Sequence, residues 1–290
     1  MAMTQTDLVV GIPTIRRAKH NYLLKTLESL LVTLENDESG SLLIVVLVGD
    51  LDRTKAQITI EEVQGRFGAF LDTGVLEIIQ APPESYFPDL HDLKDRFGDS
   101  KERTYWRSKQ CLDFALLMEY SRTRGTYYLQ LEDDVITTEG WFKYIMYYVT
   151  TRRREFFMIH FSRLGFIGKL FPSTVLKGLV QLFTLYFDEA PVDILLPAYG
   201  KRQKEETLKT TNTIFQHIGL DSSLEGKTQP LQDHGFTAAK KALQNAQLEV
   251  ERRQMSGKGG TDSLAARMEE MKERRENRKR LPVPGVPAGG

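Results

Sequence analysis

A ten-residue run, Tyr127-Tyr128-Leu129-Gln130-Leu131-Glu132-Asp133-Asp134-Val135-Ile136, constrains what this chain can fold into more than any other stretch. The aromatic and aliphatic residues around Gln130 have the pattern of a strand buried on both faces, as at the centre of a parallel sheet. Three acids then follow in succession, and the pattern turns apolar again at Val135 and Ile136. Unpaired carboxylates taken out of water cost several kcal/mol each, so such a cluster needs a divalent cation, basic side chains or helix N-termini beside it. A strand entering a solvated acidic turn is the plainer alternative, but a solvated turn seldom returns at once to Val-Ile. Ligands of open α/β sheets sit at the carboxyl ends of strands, where these acids fall. Glu132, Asp133 and Asp134 are therefore expected to face a metal and a phosphate-bearing ligand.

The residues before this run have the rhythm of a nucleotide-binding α/β domain. Leu8 to Thr14 is an apolar strand ending in the turn Gly11-Ile12-Pro13-Thr14, followed by Arg16, Arg17 and Lys19. Tyr22, Leu23, Leu27, Leu30, Leu31 and Leu34 form a helical stripe, and Leu42 to Val48 a second strand buried on both faces. A helix over Ile58 to Phe70 and a strand from Gly74 to Ile79 continue the alternation. No glycine-rich dinucleotide fingerprint follows the first strand and no phosphate-binding P-loop occurs, which argues against a dehydrogenase or an ATPase. Pro82 to Ser100 is a long polar and aromatic connection, of the kind that tends to be functional. Ser100 is placed to cap a helix whose early turns carry Arg103, Arg107 and Lys109, either a solvated face or an edge that binds a diphosphate. Gly125 is expected to end that helix.

Beyond the acids, Trp141 to Val149 reads as a helix and Phe156 to Phe161 as a strand, with His160 as a core histidine. Gly165 to Lys169 reads as a glycine-flanked turn, Val175 to Phe187 as an apolar helix, and residues 198 to 213 as an exposed, lysine-rich loop. In Ile214-Phe215-Gln216-His217-Ile218-Gly219-Leu220, His217 can complete a metal site whose upstream acids lack a nitrogen ligand. From Thr237 the composition becomes charged and poor in apolar residues, so the chain divides into a domain over 7-236 and a charged helical or disordered tail over 237-290. The 290 residues carry no net charge, which gives no overall field for nucleic acid. The single cysteine, Cys111, forms no internal disulfide and falls on an apolar helix face. Neither a membrane-spanning apolar window nor a signal sequence is present.

Several blocks resemble one family in order and spacing. They are Gly11-Ile-Pro-Thr, Pro82-Pro-Glu-Ser-Tyr-Phe-Pro-Asp-Leu, Phe97-Gly-Asp-Ser-Lys-Glu-Arg, Tyr127-Tyr-Leu-Gln-Leu-Glu-Asp-Asp, Leu164-Gly-Phe-Ile-Gly-Lys and Phe215-Gln-His-Ile-Gly-Leu. The chain is similar here to the GnT-IV family, the alpha-1,3-mannosyl-glycoprotein 4-beta-N-acetylglucosaminyltransferases, inverting Golgi enzymes of GT-A fold. The resemblance implies a Rossmann-like, mostly parallel sheet flanked by helices, UDP-GlcNAc as donor, a mannose of an N-glycan as acceptor and Mn2+ or another divalent cation as cofactor. It further implies Asp134 and His217 as metal ligands, Asp133 on the nucleotide ribose, Glu132 holding the loop, and Arg103, Arg107 and Lys109 as second-line phosphate contacts. Asp233, in Leu-Gln-Asp-His, becomes the candidate catalytic base, or else a helix N-cap before the tail.

Three departures stand beside the resemblance. The segment 197 to 213 is shorter than the family's and lacks its cysteines, the family's C-terminal carbohydrate-binding β domain is replaced by the charged tail, and no membrane anchor precedes Leu8. A Golgi location thus follows only for a trimmed or alternative form. The departures raise a second function, a catalytically silent member that binds another Golgi glycosyltransferase or a glycan and regulates it.

Overall fold

The computed structural model describes residues 6–17, 19–34, 40–152, 154–220 and 235–236. The expected alternation is present from the start. Strand β1 (Thr6–Thr14) leads to helix α1 (Leu23–Val32), β2 (Leu42–Val48), α2 (Arg53–Thr73) and β3 (Leu76–Gln80). Helix α3 (Lys101–Ser121), β4 (Gly125–Gln130), β5 (Val135–Thr137) and α4 (Trp141–Thr150) follow. The described part closes with β6 (Phe156–His160), β7 (Lys169–Pro172), α5 (Ser173–Leu185), α6 (Val192–Gly200), β8 (Glu206–Lys209) and β9 (Phe215–His217).

Seven of these strands form one sheet in the order β3-β2-β1-β4-β7-β6-β8. Strand β1 pairs in parallel with both β2 and β4, so the acidic run leaves the sheet from a central strand. Beyond β4 the direction reverses, since β7 is antiparallel to both β4 and β6. This is the α/β, Rossmann-like architecture expected, a mostly parallel sheet with helices on both faces. The period-two alternation of the strands divides the core. Leu8, Val10 and Ile12 of β1 pack with Leu27, Phe67 and Trp141 on one face, while Val9 of β1 packs with Phe114, Phe157 and Phe183 on the other.

Several boundaries differ from the reading of the sequence. Helix α2 begins five residues before Ile58, because Asp52 caps it by accepting from the Thr54 and Lys55 amides. Gly74 ends that helix in the left-handed region at φ 68° rather than opening β3. Helix α3 ends at Ser121, with Arg122 at its C-cap, so Gly125 does not terminate it but opens β4. There a Cβ would sit 2.7 Å from Val9 Cγ2, which accounts for glycine without any turn. The turn that opens at Gly165 runs directly into β7, whose four residues follow Gly168 and end at Pro172, too few to show a readable period in the sequence. The supposed loop 198 to 213 holds the end of α6 and the edge strand β8, whose polar, lysine-bearing sequence suits an edge. Residues 237–290 lie outside the described residues, as do the helices expected within them.

Gly168 joins the turn to β7 at φ 63°, and a Cβ there would meet Phe215 Cδ2 at 2.9 Å and the Ser162 amide nitrogen at 3.1 Å. Both the backbone region and the space oppose a side chain. Gly168→Ala is expected to cost at least ~1 kcal/mol, seen as a fall of several degrees in the calorimetric melting temperature relative to wild type; an unchanged melting temperature would show that the turn relaxes freely.

Candidate active site

The acidic triplet lies in the turn between β4 and β5, and its backbone is anchored from four directions. The Leu131 amide donates to the Gly11 carbonyl at 3.0 Å, and the Gly168 amide to the Gln130 carbonyl at 2.9 Å. The buried Thr26 hydroxyl of α1 donates to the Asp133 carbonyl at 2.7 Å and accepts from the Val135 amide at 3.1 Å. Strand β9 pairs antiparallel with β5, placing His217 across from Val135, and the Ile218 amide donates to the Asp134 carbonyl at 2.8 Å. The apolar Val135-Ile136 that followed the acids is thus a strand of its own, outside the main sheet.

These anchors bring a carboxylate from each of two turn positions against one imidazole. His217 Nε2 lies 3.3 Å from Asp134 Oδ2, and single ligand atoms of Glu132, Asp134 and His217 all fall within 4.8 Å of one another. Asp134 Oδ1 and His217 Nδ1 are buried with no hydrogen-bond partner. Such orphaned atoms cost free energy unless something supplies a partner. A divalent cation fits that donor set, two carboxylates and a nitrogen, and Glu132, Asp134 and His217 would hold it. Glycine at 219 makes the approach possible, since a Cβ there would clash with the Asp134 carboxylate.

The arrangement contains a counter-charge that the sequence reading passed over. Arg17 Nη2 lies 2.7 Å from Asp133 Oδ1 and 3.0 Å from Asp134 Oδ2, while the Thr14 hydroxyl donates to Asp133 Oδ2 at 2.6 Å. Both come from the carboxyl end of β1, the strand beside β4, and that adjacency is what a sheet order would have revealed. Burial pushes the Asp133 carboxyl up to about 6, with Arg17 opposing and Asp134 adding to it. Glu132 keeps one side open to a cavity but is otherwise surrounded by protein, and burial with the neighbouring Asp134 charge pushes it up to about 8. Burial pushes the His217 imidazole down, yet the hydrogen bond and charge of Asp134 outweigh it and leave its pKa raised.

The acids, Arg17 and His217 line a cavity of about 550 Å³, into which Arg103, Arg107 and Lys109 of α3 also face. The structure brings these three cations to the acids, but all three already have acidic partners, two of them in buried pairs. Arg107 is buried, 3.3 Å from Asp99 and donating to the Asp188 carbonyl. Lys109 is buried against both carboxylate oxygens of Asp113, each at 2.9 Å. Arg103 is half exposed and pairs with Asp99 at 3.0 Å. Glu132 also accepts from the Phe166 amide of the glycine turn at 3.4 Å, while standing with the metal candidates. Asp233 lies outside the described residues. Cys111 is buried away from this chemistry, its thiol pushed up to about 12 by burial. His160 is half-buried at the end of β6 and faces a second cavity rather than the core, with burial and two lysines pushing it down to about 4.

A family model described as the MGAT4 conserved region matches residues 1–236. The chain belongs to this family. Alpha-1,3-mannosyl-glycoprotein 4-beta-N-acetylglucosaminyltransferase A of Bos taurus is 39% identical over 249 residues, covering 80% of this chain and 46% of the relative. The B enzyme of Danio rerio is 36% identical over 249 residues, covering 80% of this chain and 45% of the relative. The chain thus spans about half the length of the curated relatives it matches. Among solved structures, S. aureus TarS 1-349 in complex with UDP-GlcNAc is similar with a TM-score of 0.42 and 12% identity, covering 94% of this chain and 72% of that one. Among the described residues no helix is long and apolar enough to cross a membrane.

The shifted groups give the metal-free site a defined pH dependence. Glu132 and Asp133 hold protons in the folded state that the unfolded chain has already lost, so their contribution to stability declines from the ordinary carboxylate range near pH 4 up to about pH 8. The raised His217 acts in the same direction, its stabilising proton being lost as pH rises through its folded pKa. The melting temperature of metal-free protein is expected to fall between pH 5 and pH 8, and Glu132→Gln to flatten that slope. Arg17→Met removes the counter-charge from two buried acids and is expected to lower the melting temperature more at pH 8 than at pH 5, because protons can replace the lost cation only at the lower pH. Equal losses at both values would mean that Arg17 acts through packing alone.

Proposed function

We propose that this chain is the catalytic part of an inverting glycosyltransferase that moves GlcNAc from UDP-GlcNAc to a mannose of an N-glycan, making a β-1,4 branch on the α-1,3 arm. The observation that carries the reading is the convergence of Glu132, Asp134 and His217 on one point of the cavity at the end of β4, in a chain of the MGAT4 family. The domain over 7-236 would hold this activity, with 237-290 as an appendage, and the family relation points to the Golgi lumen as its place of action.

Transfer breaks the bond between the anomeric carbon and a diphosphate oxygen, so negative charge develops on the leaving group. A divalent cation such as Mn2+, held by Asp134 and His217 with Glu132 beside them, would supply Lewis-acid neutralisation of that charge. Arg103 lines the same cavity and is open enough to reach a phosphate, whereas Arg107 and Lys109 keep their internal partners and contribute mainly positive potential. Asp133, held by Thr14 and Arg17, would present its carboxylate edge to the ribose hydroxyls. Inversion also needs a carboxylate on the acceptor side to take the hydroxyl proton, and Asp233 is the candidate that the family resemblance names.

Asp134→Ala and His217→Ala are each expected to abolish or strongly weaken Mn2+-dependent UDP binding in calorimetry while leaving a folded protein. Metal-dependent UDP affinity that survives both substitutions would move the metal elsewhere. Wild-type protein that binds UDP-GlcNAc with Mn2+ but transfers to no mannose-terminated N-glycan would instead support a regulatory member of the family.

A further inference from the structure

Arg17 is paired in an unusual way for an arginine. One nitrogen, Nη2, serves two carboxylates at once, Asp133 Oδ1 at 2.7 Å and Asp134 Oδ2 at 3.0 Å. The side chain is only 10% exposed, yet its Nε is buried with no hydrogen-bond partner. A guanidinium carries its donors in a planar fork and frequently meets a carboxylate with two of them, so this one is under-used. Asp134 Oδ2, which Arg17 holds, also faces His217 Nε2 at 3.3 Å. The guanidinium therefore rests against the group of ligand atoms that Glu132, Asp134 and His217 offer to a cation.

We propose that Arg17 is an exchangeable counter-ion: it holds Asp134 while no cation is bound, yields Asp134 to a divalent cation, and turns its freed donors to the phosphate oxygens that arrive with that cation. This rests on the reading of Glu132, Asp134 and His217 as metal ligands. A guanidinium and a dication that share one buried carboxylate repel each other strongly, because little water lies between them to screen the charges. A diphosphate relieves that repulsion, since its oxygens are strong acceptors for the fork that Asp134 has released. Metal and diphosphate are then positively coupled. Each binds weakly alone and tightens the other by the same factor.

The fold confines such an exchange to one side chain. Before Arg17, the Arg16 amide donates to Asp50 Oδ2 at 2.9 Å, and the Arg16 guanidinium forms a two-pronged pair with Glu62 at 3.0 and 2.8 Å. After it, Tyr22 lies against the Arg17 guanidinium, 5.1 Å from Cζ to the ring centroid, and its hydroxyl accepts from the Leu220 amide at 3.2 Å. Asp133 keeps a second partner in the Thr14 hydroxyl at 2.6 Å, so it stays held when Arg17 turns. Arg17 also lines the cavity of about 550 Å³ in which a diphosphate would lie. The plainer role is a fixed structural counter-charge, which would stay on Asp134 whatever else bound. The orphaned Nε speaks against that role, because a buried guanidinium kept only for structure is expected to have its donors satisfied.

The test uses the full chain, as wild type and as Arg17→Met. Calorimetry measures Mn2+ affinity without nucleotide and UDP affinity at saturating Mn2+, and crystal structures of the wild type are compared with and without both ligands. Arg17→Met is expected to bind Mn2+ alone at least about tenfold more tightly than wild type, since the competing charge is gone. Its UDP affinity at saturating Mn2+ is expected to fall by about tenfold or more, the loss of a charge-assisted contact. In wild-type crystals with Mn2+ and UDP, Arg17 Nη2 is expected beyond hydrogen-bond reach of Asp134 Oδ2 and beside a phosphate oxygen. Mn2+ affinity of a folded Arg17→Met equal to or weaker than that of wild type overturns the exchange. An Arg17–Asp134 hydrogen bond that persists beside bound Mn2+ in wild-type crystals also overturns it, and that arm decides the matter if the variant does not fold. Wild-type protein that binds no Mn2+, with or without UDP, overturns the metal reading and the exchange together.

Discussion

Everything distinctive in this structure follows from placing three acids in the interior at the end of a central strand. A sheet of this kind offers the end of β4 as a place where side chains from several elements converge, but carboxylates there lose their hydration and repel one another. The protein meets that cost with Arg17 and Thr14 from the end of β1 and with His217 from β9, and the burial that remains uncompensated pushes Glu132 up to about 8 and Asp133 up to about 6. Three atoms of this group, Arg17 Nε, Asp134 Oδ1 and His217 Nδ1, remain buried without hydrogen-bond partners. Glu132, Asp134 and His217 beside these atoms form a donor set that could hold a divalent cation.

The same constraint explains features that look unrelated to chemistry. Strand β9 has only three residues and pairs with an equally short β5, too little for independent stability, yet it carries His217 to the acids and receives Phe215 into the main core. Thr26 is a polar residue on the buried face of α1, and its hydroxyl satisfies both a carbonyl and an amide of the acidic turn. Glycines at 168 and 219 stand where side chains would strike Phe215 or Asp134. The turn at Gly165 to Gly168 leans on Glu132 and lines both cavities, so the acidic cavity and the second one share part of a wall.

Helix α3 shows how charge counted along a sequence overstates charge available in a fold. Arg103, Arg107 and Lys109 all reach the cavity, as a basic helix start suggests, but Asp99 and Asp113 come from the same segment of chain and neutralise much of what they bring. Such internal pairs position the cations at a known place while lowering their pull on a ligand, and they limit how far a phosphate contact can be inferred from residue type.

What the sequence by itself determined was the alternation of strands and helices, the burial of Tyr128 and Leu129, and the meeting of Glu132, Asp133 and Asp134 at a strand end. Local periodicity and the high cost of buried charge are properties of adjacent residues, so they are legible without a fold. The family blocks also tied His217 to the acids, although 83 residues separate it from Asp134. Only the tertiary structure decided that Arg17 is the counter-charge, that β7 reverses the sheet and that residues 206 to 209 form an edge strand. Each of those depends on which strands lie side by side. Sheet order is set by long-range packing of the whole chain, and no local pattern of Arg, Lys or Asp encodes it.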